Sequence, residues 1–310
     1  EGVGAILLSI RFIPQFGLLK GIWYSIFHSI SAFCNAGFDL MGHTEKYISL
    51  CNYVGDWLVN LVIVSLIVIG GIGFIVWDDL YTKRWYVRHY MLHTKIVLVT
   101  TAILIAGSML LFYMMERGNI LVGMTGSEKF LACLFSAVTP RTAGFNTVDT
   151  AALTDGSKFL TAVLMFIGGS PGSTAGGIKT STLAVLLLYV HSNIRQTYGV
   201  EVFGRRLQDE SIRQSACILT INLCLTIVAS ILIMTVQNLP MSAVLFETCS
   251  AMRTSGMSTG VTRSLNTFSR FMIIMLMYCG RIGSLSFALA FTRTKRKPHV
   301  QLPPERITVG

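Results

Sequence analysis

Three stretches carry one pattern and decide how the rest of the chain is read: Ser31-Ala32-Phe33-Cys34-Asn35-Ala36-Gly37-Phe38, Ser136-Ala137-Val138-Thr139-Pro140-Arg141-Thr142-Ala143-Gly144-Phe145, and Ser250-Ala251-Met252-Arg253-Thr254-Ser255-Gly256-Met257. Aligned on their glycines (37, 144, 256) they recur after 107 and 112 residues, which marks an internal repeat. Each ends an apolar or amphipathic stretch too short to cross a bilayer, at 21–33, 127–138 and 240–252, and a longer apolar run follows each. The unit therefore reads as span, short helix, glycine loop, span.

Composition agrees with a membrane setting. Of 310 residues, 52% are hydrophobic and only 13% charged, about half the charged share of a soluble domain, and the mean hydropathy is +0.62. Apolar runs long enough to span lie at 54–77, 92–115, 158–190, 215–236 and 268–291. They follow an opening apolar tract, 1–13, that carries Arg11 and reads as the back half of a helix. The net charge of +10 is distributed by side. Lys83, Arg84, Arg88 and Lys95, then Arg195, Arg205, Arg206 and Arg213, then Arg293, Lys295, Arg296, Lys297 and Arg306 all fall on one face of the alternating spans. The long connections 39–53, 116–157 and 237–267 are balanced in charge. The positive-inside rule then makes the C-terminal tail cytoplasmic in a multi-pass protein of the cell membrane, and it argues against a nucleic-acid partner for these basic residues. The seven cysteines form no CxxC pair, and neither a disulfide nor a zinc site is expected.

Irregular backbone is tolerated at membrane depth only where protein buries it or where it lines an aqueous path. A short helix entering from outside aims the negative end of its dipole at the membrane centre, which favours cations there. A following glycine permits torsions that turn carbonyl oxygens toward an ion. One such loop would read as a turn, but three at the same topological place read as the lining of a cation pore. The span 158–190 is interrupted by Gly168-Gly169-Ser170-Pro171-Gly172-Ser173-Thr174-Ala175-Gly176-Gly177-Ile178-Lys179, too rich in glycine to stay helical. It is not a nucleotide P-loop, because Ile178 stands where GxxxxGK[ST] needs lysine. Broken helices are usual at transporter gates, and this is the one span that the sequence marks as broken. Lys179 and Arg281 are charges inside apolar runs, hence functional candidates; Lys179 reads equally well as snorkelling to the cytoplasmic edge. Arg141 and Arg253, beside the glycine loops, receive no role at this stage. Asp78 and Asp79 read as loop charges. No paired acids, and no nucleophile with a base, suggest an enzyme.

These residues resemble a known family. Asn35-Ala36-Gly37-Phe38, the string Thr139-Pro140-Arg141-Thr142-Ala143-Gly144-Phe145-Asn146, and the run 168–179 are similar to the Trk/Ktr/HKT superfamily of potassium transporters, most of all to the membrane subunits of bacterial Ktr systems. The resemblance implies an all-α integral membrane fold of span–pore helix–loop–span units around a central pore. It implies a selectivity filter from the backbone of Asn35, Ala36, Gly37 and Phe38, of Thr142, Ala143, Gly144 and Phe145, and of Thr254, Ser255, Gly256 and Met257, with K+ held near Gly37, Gly144 and Gly256. It further implies an intramembrane gate formed by Gly168, Gly169, Ser170, Pro171, Gly172, Ser173, Thr174, Ala175, Gly176 and Gly177 with Lys179, contacted by Arg281 of the last span. The transported ion would be K+, with Na+ as a second candidate. The partners would be a second copy of the chain and a cytoplasmic RCK-type ring, KtrA- or TrkA-like, that binds the nucleotide this chain does not. Residues 1–77, 92–190 and 215–291 would be the second, third and fourth units, and 292–310 the tail. The first unit is absent, so the sequence reads as a shortened polypeptide. Rival readings are a sodium-coupled secondary transporter of a small solute and a membrane-embedded lipid-phosphate enzyme.

Overall fold

The computed structural model describes residues 1–283 apart from 44, 45, 85 and 198. The expected tail and the end of the last span therefore lie outside the described residues. In chain order the helices are α1 (Gly2–Phe16), α2 (Leu18–Phe33), α3 (Trp57–Gly71), α4 (Phe74–Lys83), α5 (Leu92–Glu116), α6 (Gly126–Val138), α7 (Asp155–Phe166), α8 (Thr180–Ile194), α9 (Asp209–Val236), α10 (Met241–Arg253) and α11 (Thr267–Ile282). A two-residue hairpin, β1 (Glu201–Val202) against β2 (Arg205–Arg206), joins α8 to α9. The fold is all-α. Three times over, a helix is followed by a helix too short to cross a bilayer alone, a glycine loop and another helix, and α2, α6 and α10 are those short helices.

Their starts follow from local chemistry. The Asp56 carboxylate caps α3 by accepting from Val59 N–H at 3.1 Å and pairs with Arg11 of α1 at 2.6 Å. Thr125 and Glu128 form a reciprocal capping box on α6. Thr154 caps α7 and Asn266 caps α11 through the N–H three residues on. Between α1 and α2 only Gly17 intervenes, with φ +82°, and a Cβ on Gly21 would stand 2.5 Å from Ile13 Cα, so the two helices fold back in close contact.

Among the described residues two helices, α5 with 25 residues and α9 with 28, are long and apolar enough to cross a membrane alone. The expected span at 54–77 is not one helix. It ends at Gly71 and resumes at Phe74 after a 95° bend, with Gly73 at φ +96° between. Three glycines in Gly70-Gly71-Ile72-Gly73 make a break possible at this place; its cause is a tertiary contact described below. Asp79, expected as a loop charge, is instead buried on α4, paired with Lys83 at 2.6 Å and accepting Met91 N–H at 2.8 Å.

The largest apolar cluster joins Leu8 and Phe12 of α1 to Ile63 and Ile67 of α3 and to Phe135 and Phe145 of the second unit. A second cluster joins α9, α10 and α11 through Ala229, Ile233, Met252, Ile273 and Leu276. In the first and third units, one glycine sets how closely the short helix meets the helix after its loop. A Cβ on Gly70 would overlap the Phe33 carbonyl oxygen, and one on Gly280 would overlap that of Met252. Phe33 and Met252 stand at the same place, four residues before their loop glycines. Gly70→Ala and Gly280→Ala are therefore expected to lower the unfolding midpoint in detergent, by roughly 1–3 kcal/mol of overpacking. Gly107→Ala on α5, where a Cβ meets open space, is expected to leave the midpoint unchanged or raise it.

Candidate functional site in the glycine loops and the interrupted helix

The three loops share a backbone conformation. Gly37, Gly144 and Gly256 have φ of +73°, +92° and +80°, and the residues two places earlier, Asn35, Thr142 and Thr254, are also left-handed at 49°, 70° and 51°. A β-branched threonine in this region is strained and persists only where its surroundings hold it. Part of that hold is a hydroxyl of the short helix. Ser31 donates to the Phe38 carbonyl at 2.8 Å and Ser250 to the Met257 carbonyl at 2.6 Å. In the second unit Val138 occupies the serine's place and Thr139, one residue on, donates to the Phe145 carbonyl instead.

The loops touch one another in sequence order. A Cβ on Gly37 would overlap the Ala143 carbonyl, and one on Gly144 would overlap that of Ser255. The glycines open on a cavity of about 620 Å³ whose walls include Asp39, Asn146, Asp149 and Ser258. Phe145 and Met257 are buried and Phe38 is exposed. The loops are also tied across this cavity: Leu50 N–H donates to the Asn146 carbonyl at 2.9 Å, and the Thr150 hydroxyl to the Ser258 carbonyl at 2.5 Å.

The interrupted helix packs against the same loops. Between α7 and α8 the chain closes on itself, with Gly168 N–H to the Ile178 carbonyl at 2.9 Å and Thr180 N–H to the Gly169 carbonyl at 3.0 Å. The Thr174 hydroxyl lies within 3.2 Å of the Phe33 and Gly70 carbonyls and accepts from Asn35 Nδ2 at 3.1 Å. A Cβ on Gly176 would come within 2.6 Å of Thr254 Oγ1, and one on Gly177 within 2.7 Å of Arg253 Cδ. The segment thus abuts the first and third glycine loops. It also explains the bend between α3 and α4: Ser170 N–H donates to the Gly71 carbonyl and Phe74 N–H to the Gly172 carbonyl, both at 2.9 Å. The two interruptions supply each other's missing partners. Ser173 donates to the Ser170 carbonyl at 2.6 Å, and Ser170 shares a hydroxyl contact of 2.9 Å with Thr180.

Of the candidate charges, Lys179 donates to the Ala175 carbonyl at 2.7 Å and so closes the segment rather than reaching for water. Arg281 lies in the last turn of α11 with an exposed side chain, and among the described residues it has no hydrogen bond to the segment. It lies close enough to Lys179 of the segment for the two charges to interact, without a hydrogen bond between them. Arg253 and Arg141, left without a role in the sequence, are both buried at the carboxyl ends of short helices, where a cation meets the negative end of the dipole. The Arg253 guanidinium stacks 4.2 Å over the Phe166 ring at the end of α7, and Arg141 Nη2 donates to Thr101 on α5 at 3.2 Å. Both stand three residues before a loop glycine, a spacing visible in the sequence but uninformative without knowing that the position faces protein. A buried carboxylate, Glu116, was missed altogether: it accepts from Thr154 N–H at 2.9 Å, from the Thr154 hydroxyl at 2.7 Å and from Asn119 at 2.8 Å, fixing the approach to α7. Thr174→Val removes the hydroxyl shared by Asn35, Phe33 and Gly70. It is expected to speed amide hydrogen exchange across 170–178, by about fivefold for each net hydrogen bond of ~1 kcal/mol that is lost, whereas Thr174→Ser should keep the wild-type protection.

Comparison with known proteins identifies the family. The family profile described as TrkH, cation transport protein, matches residues 3–299. The potassium/sodium uptake protein NtpJ of Enterococcus hirae is 38% identical over 315 residues, covering 99% of this chain and 68% of its own length. The Ktr system potassium uptake proteins B of Bacillus subtilis and Vibrio alginolyticus are 37% and 34% identical, each over all of this chain and 68% of their own length. The crystal structure of the potassium transporter TrkH from Vibrio parahaemolyticus superposes with a TM-score of 0.71 at 18% identity, over 93% of this chain and 62% of that one. The chain belongs to the TrkH family of cation transport proteins, membrane transporters and not enzymes.

Proposed function

We propose that the protein moves potassium across the cell membrane through a filter of backbone carbonyls contributed by the three glycine loops, with the segment 168–179 as the gate. The observation that carries this reading is the pair of left-handed residues two places apart in every loop, on loops in mutual contact beneath one outer cavity. Alternating left-handed with ordinary residues turns successive peptide planes so that their carbonyls face one side, where they can replace an ion's hydration shell. The short helices add the negative ends of their dipoles. The membrane potential supplies the drive, about 2.3 kcal/mol per charge per 100 mV. Potassium and sodium uptake named for the relatives supports the choice of ions. The units 1–77, 92–190 and 215–291, a cytoplasmic tail, a dimeric state and regulation by a nucleotide-binding RCK-type ring belong to the same proposal.

In this reading the gate blocks the path because Thr174 and Gly176 sit against residues of two filter loops. Opening requires those contacts to break and the segment to swing on its two closed ends. Two experiments on the complete protein in proteoliposomes test it. Gly144→Asp puts a Cβ onto the Ser255 carbonyl at a left-handed position, and it is expected to abolish selective rubidium uptake while membrane insertion is retained; unchanged uptake removes the filter assignment. Deleting 172–176 is expected to raise flux, and a fall would make the segment structural.

A second reading gains from the bend at Gly73. The sequence marked one broken span, which spoke against a sodium-coupled secondary transporter; the described residues hold two, in the closing helices of the first and second units present. Uptake that follows the sodium gradient with potassium absent would favour that reading.

A further inference from the structure

We infer that His28 and Glu247 are positioning residues that fix the chain just beyond two of the loop glycines and thereby hold the filter to one ion size; the inference rests on the filter reading above. Both stand nine residues before a glycine, His28 before Gly37 and Glu247 before Gly256, on α2 and α10 respectively. Both receive the backbone N–H three residues after that glycine: Leu40 N–H donates to His28 Nε2 at 3.3 Å, and Thr259 N–H to Glu247 Oε1 at 3.1 Å. His28 is fully buried and Glu247 is buried with 6% of its surface exposed. A polar residue here is unexpected on a helix face that packs inside the protein, and two unrelated side chains meeting the same donor in two units points to a shared task.

The geometry fixes the chemistry of each. His28 Nδ1 is 2.7 Å from the Tyr24 carbonyl, which can only accept, so Nδ1 carries the proton and Nε2 offers its lone pair to Leu40. Its ring also lies 6.4 Å from that of Phe145 in the neighbouring loop. Glu247 faces a set of donors that suits a carboxylate: the Ser258 hydroxyl at 2.5 Å, the Thr262 hydroxyl at 2.6 Å and the Thr259 hydroxyl at 3.4 Å, besides the Thr259 N–H. The second unit follows the same logic by contrast. Phe135 stands at its ninth position and cannot accept, and that loop is held from the adjacent outer connection instead: Asn146 N–H donates to Ser49 Oγ at 3.2 Å, and the Asn146 carbonyl accepts from Leu50. A glycine has no side chain by which to be gripped. Its carbonyl can be kept from closing on a smaller ion only through neighbours fixed on either side, the Ser31 and Ser250 hydroxyls at one residue beyond and these acceptors at three.

The test uses the complete protein, purified and reconstituted, with rubidium uptake measured against competing sodium. His28→Phe keeps a ring and removes the acceptor, and Glu247→Ala removes the carboxylate. Each is expected to raise the apparent KM for rubidium about fivefold, the equivalent of ~1 kcal/mol for one lost hydrogen bond, and to weaken discrimination against sodium more than it lowers maximal uptake. His28→Gln and Glu247→Gln, which return an acceptor oxygen, are expected to recover most of that loss. Unchanged KM and discrimination in His28→Phe and Glu247→Ala overturn the inference, as does a loss in the glutamine variants equal to that of the truncations. Should the truncated variants aggregate, amide exchange in the wild-type protein decides: the Leu40 and Thr259 amides are expected to be protected, and exchange as fast as in the surrounding loop overturns it. Absence of selective uptake by the wild-type protein would remove the filter reading and this inference together. Selective uptake lost in Gly144→Asp but kept in His28→Phe and Glu247→Ala would remove this inference alone.

Discussion

A peptide group that leaves a helix inside an apolar protein must find another partner, because lipid offers none. The fold around the interrupted helix can be understood from that requirement. Thirteen residues between α7 and α8 are not helical, and their amides and carbonyls are met by one another, by Gly71 and by Phe74. The bend between α3 and α4 is the reciprocal of the same need. Neither break is stable by itself, since each would strand groups that the other satisfies.

The partners have to come close, and that requirement selects small residues. Gly168 and Gly169 lie where a Cβ would overlap Gly176 or Ala175 across the segment, and Gly70 lies where one would overlap the Phe33 carbonyl. Glycine here is a spatial necessity before it is a conformational one. The same closeness makes the segment and the loops a single mechanical body. Thr174 is bonded to the end of α2, to Asn35 and to α3, while Gly176 and Gly177 lie against Thr254 and Arg253. Displacing the segment would therefore disturb the loop backbone, and in the proposed function this couples the gate to the filter.

Charge is used sparingly, and each buried charge is given work. Arg141 and Arg253 sit behind the loops at helix carboxyl ends, turned to Thr101 and the Phe166 ring. Glu116 and Glu247 gather the donors of outer turns. These groups order irregular backbone from outside the cavity above the glycines, whose wall carries Asp39 and Asp149 beside Lys46 and Arg263.

The three-fold recurrence of short helix and glycine loop, the membrane setting and the interruption at 168–179 were determined by the sequence, because periodic hydrophobicity, glycine density and repeat spacing are local or translational patterns. The string around Thr139 to Asn146 was enough to suggest the family. Other features were decided only by the tertiary structure. The break at Gly73 depends on a hydrogen bond to Gly172, about a hundred residues away. The exposure of Arg281 and the burial of Asp79, Arg141 and Arg253 depend on what packs beside them. His28 and Glu247 look like isolated polar residues until the loops fold back and bring Leu40 and Thr259 to them. A side chain's type shows what it can bond to; which group it meets is set by contacts between segments distant in the chain, and those contacts exist only once the units have packed around a common centre.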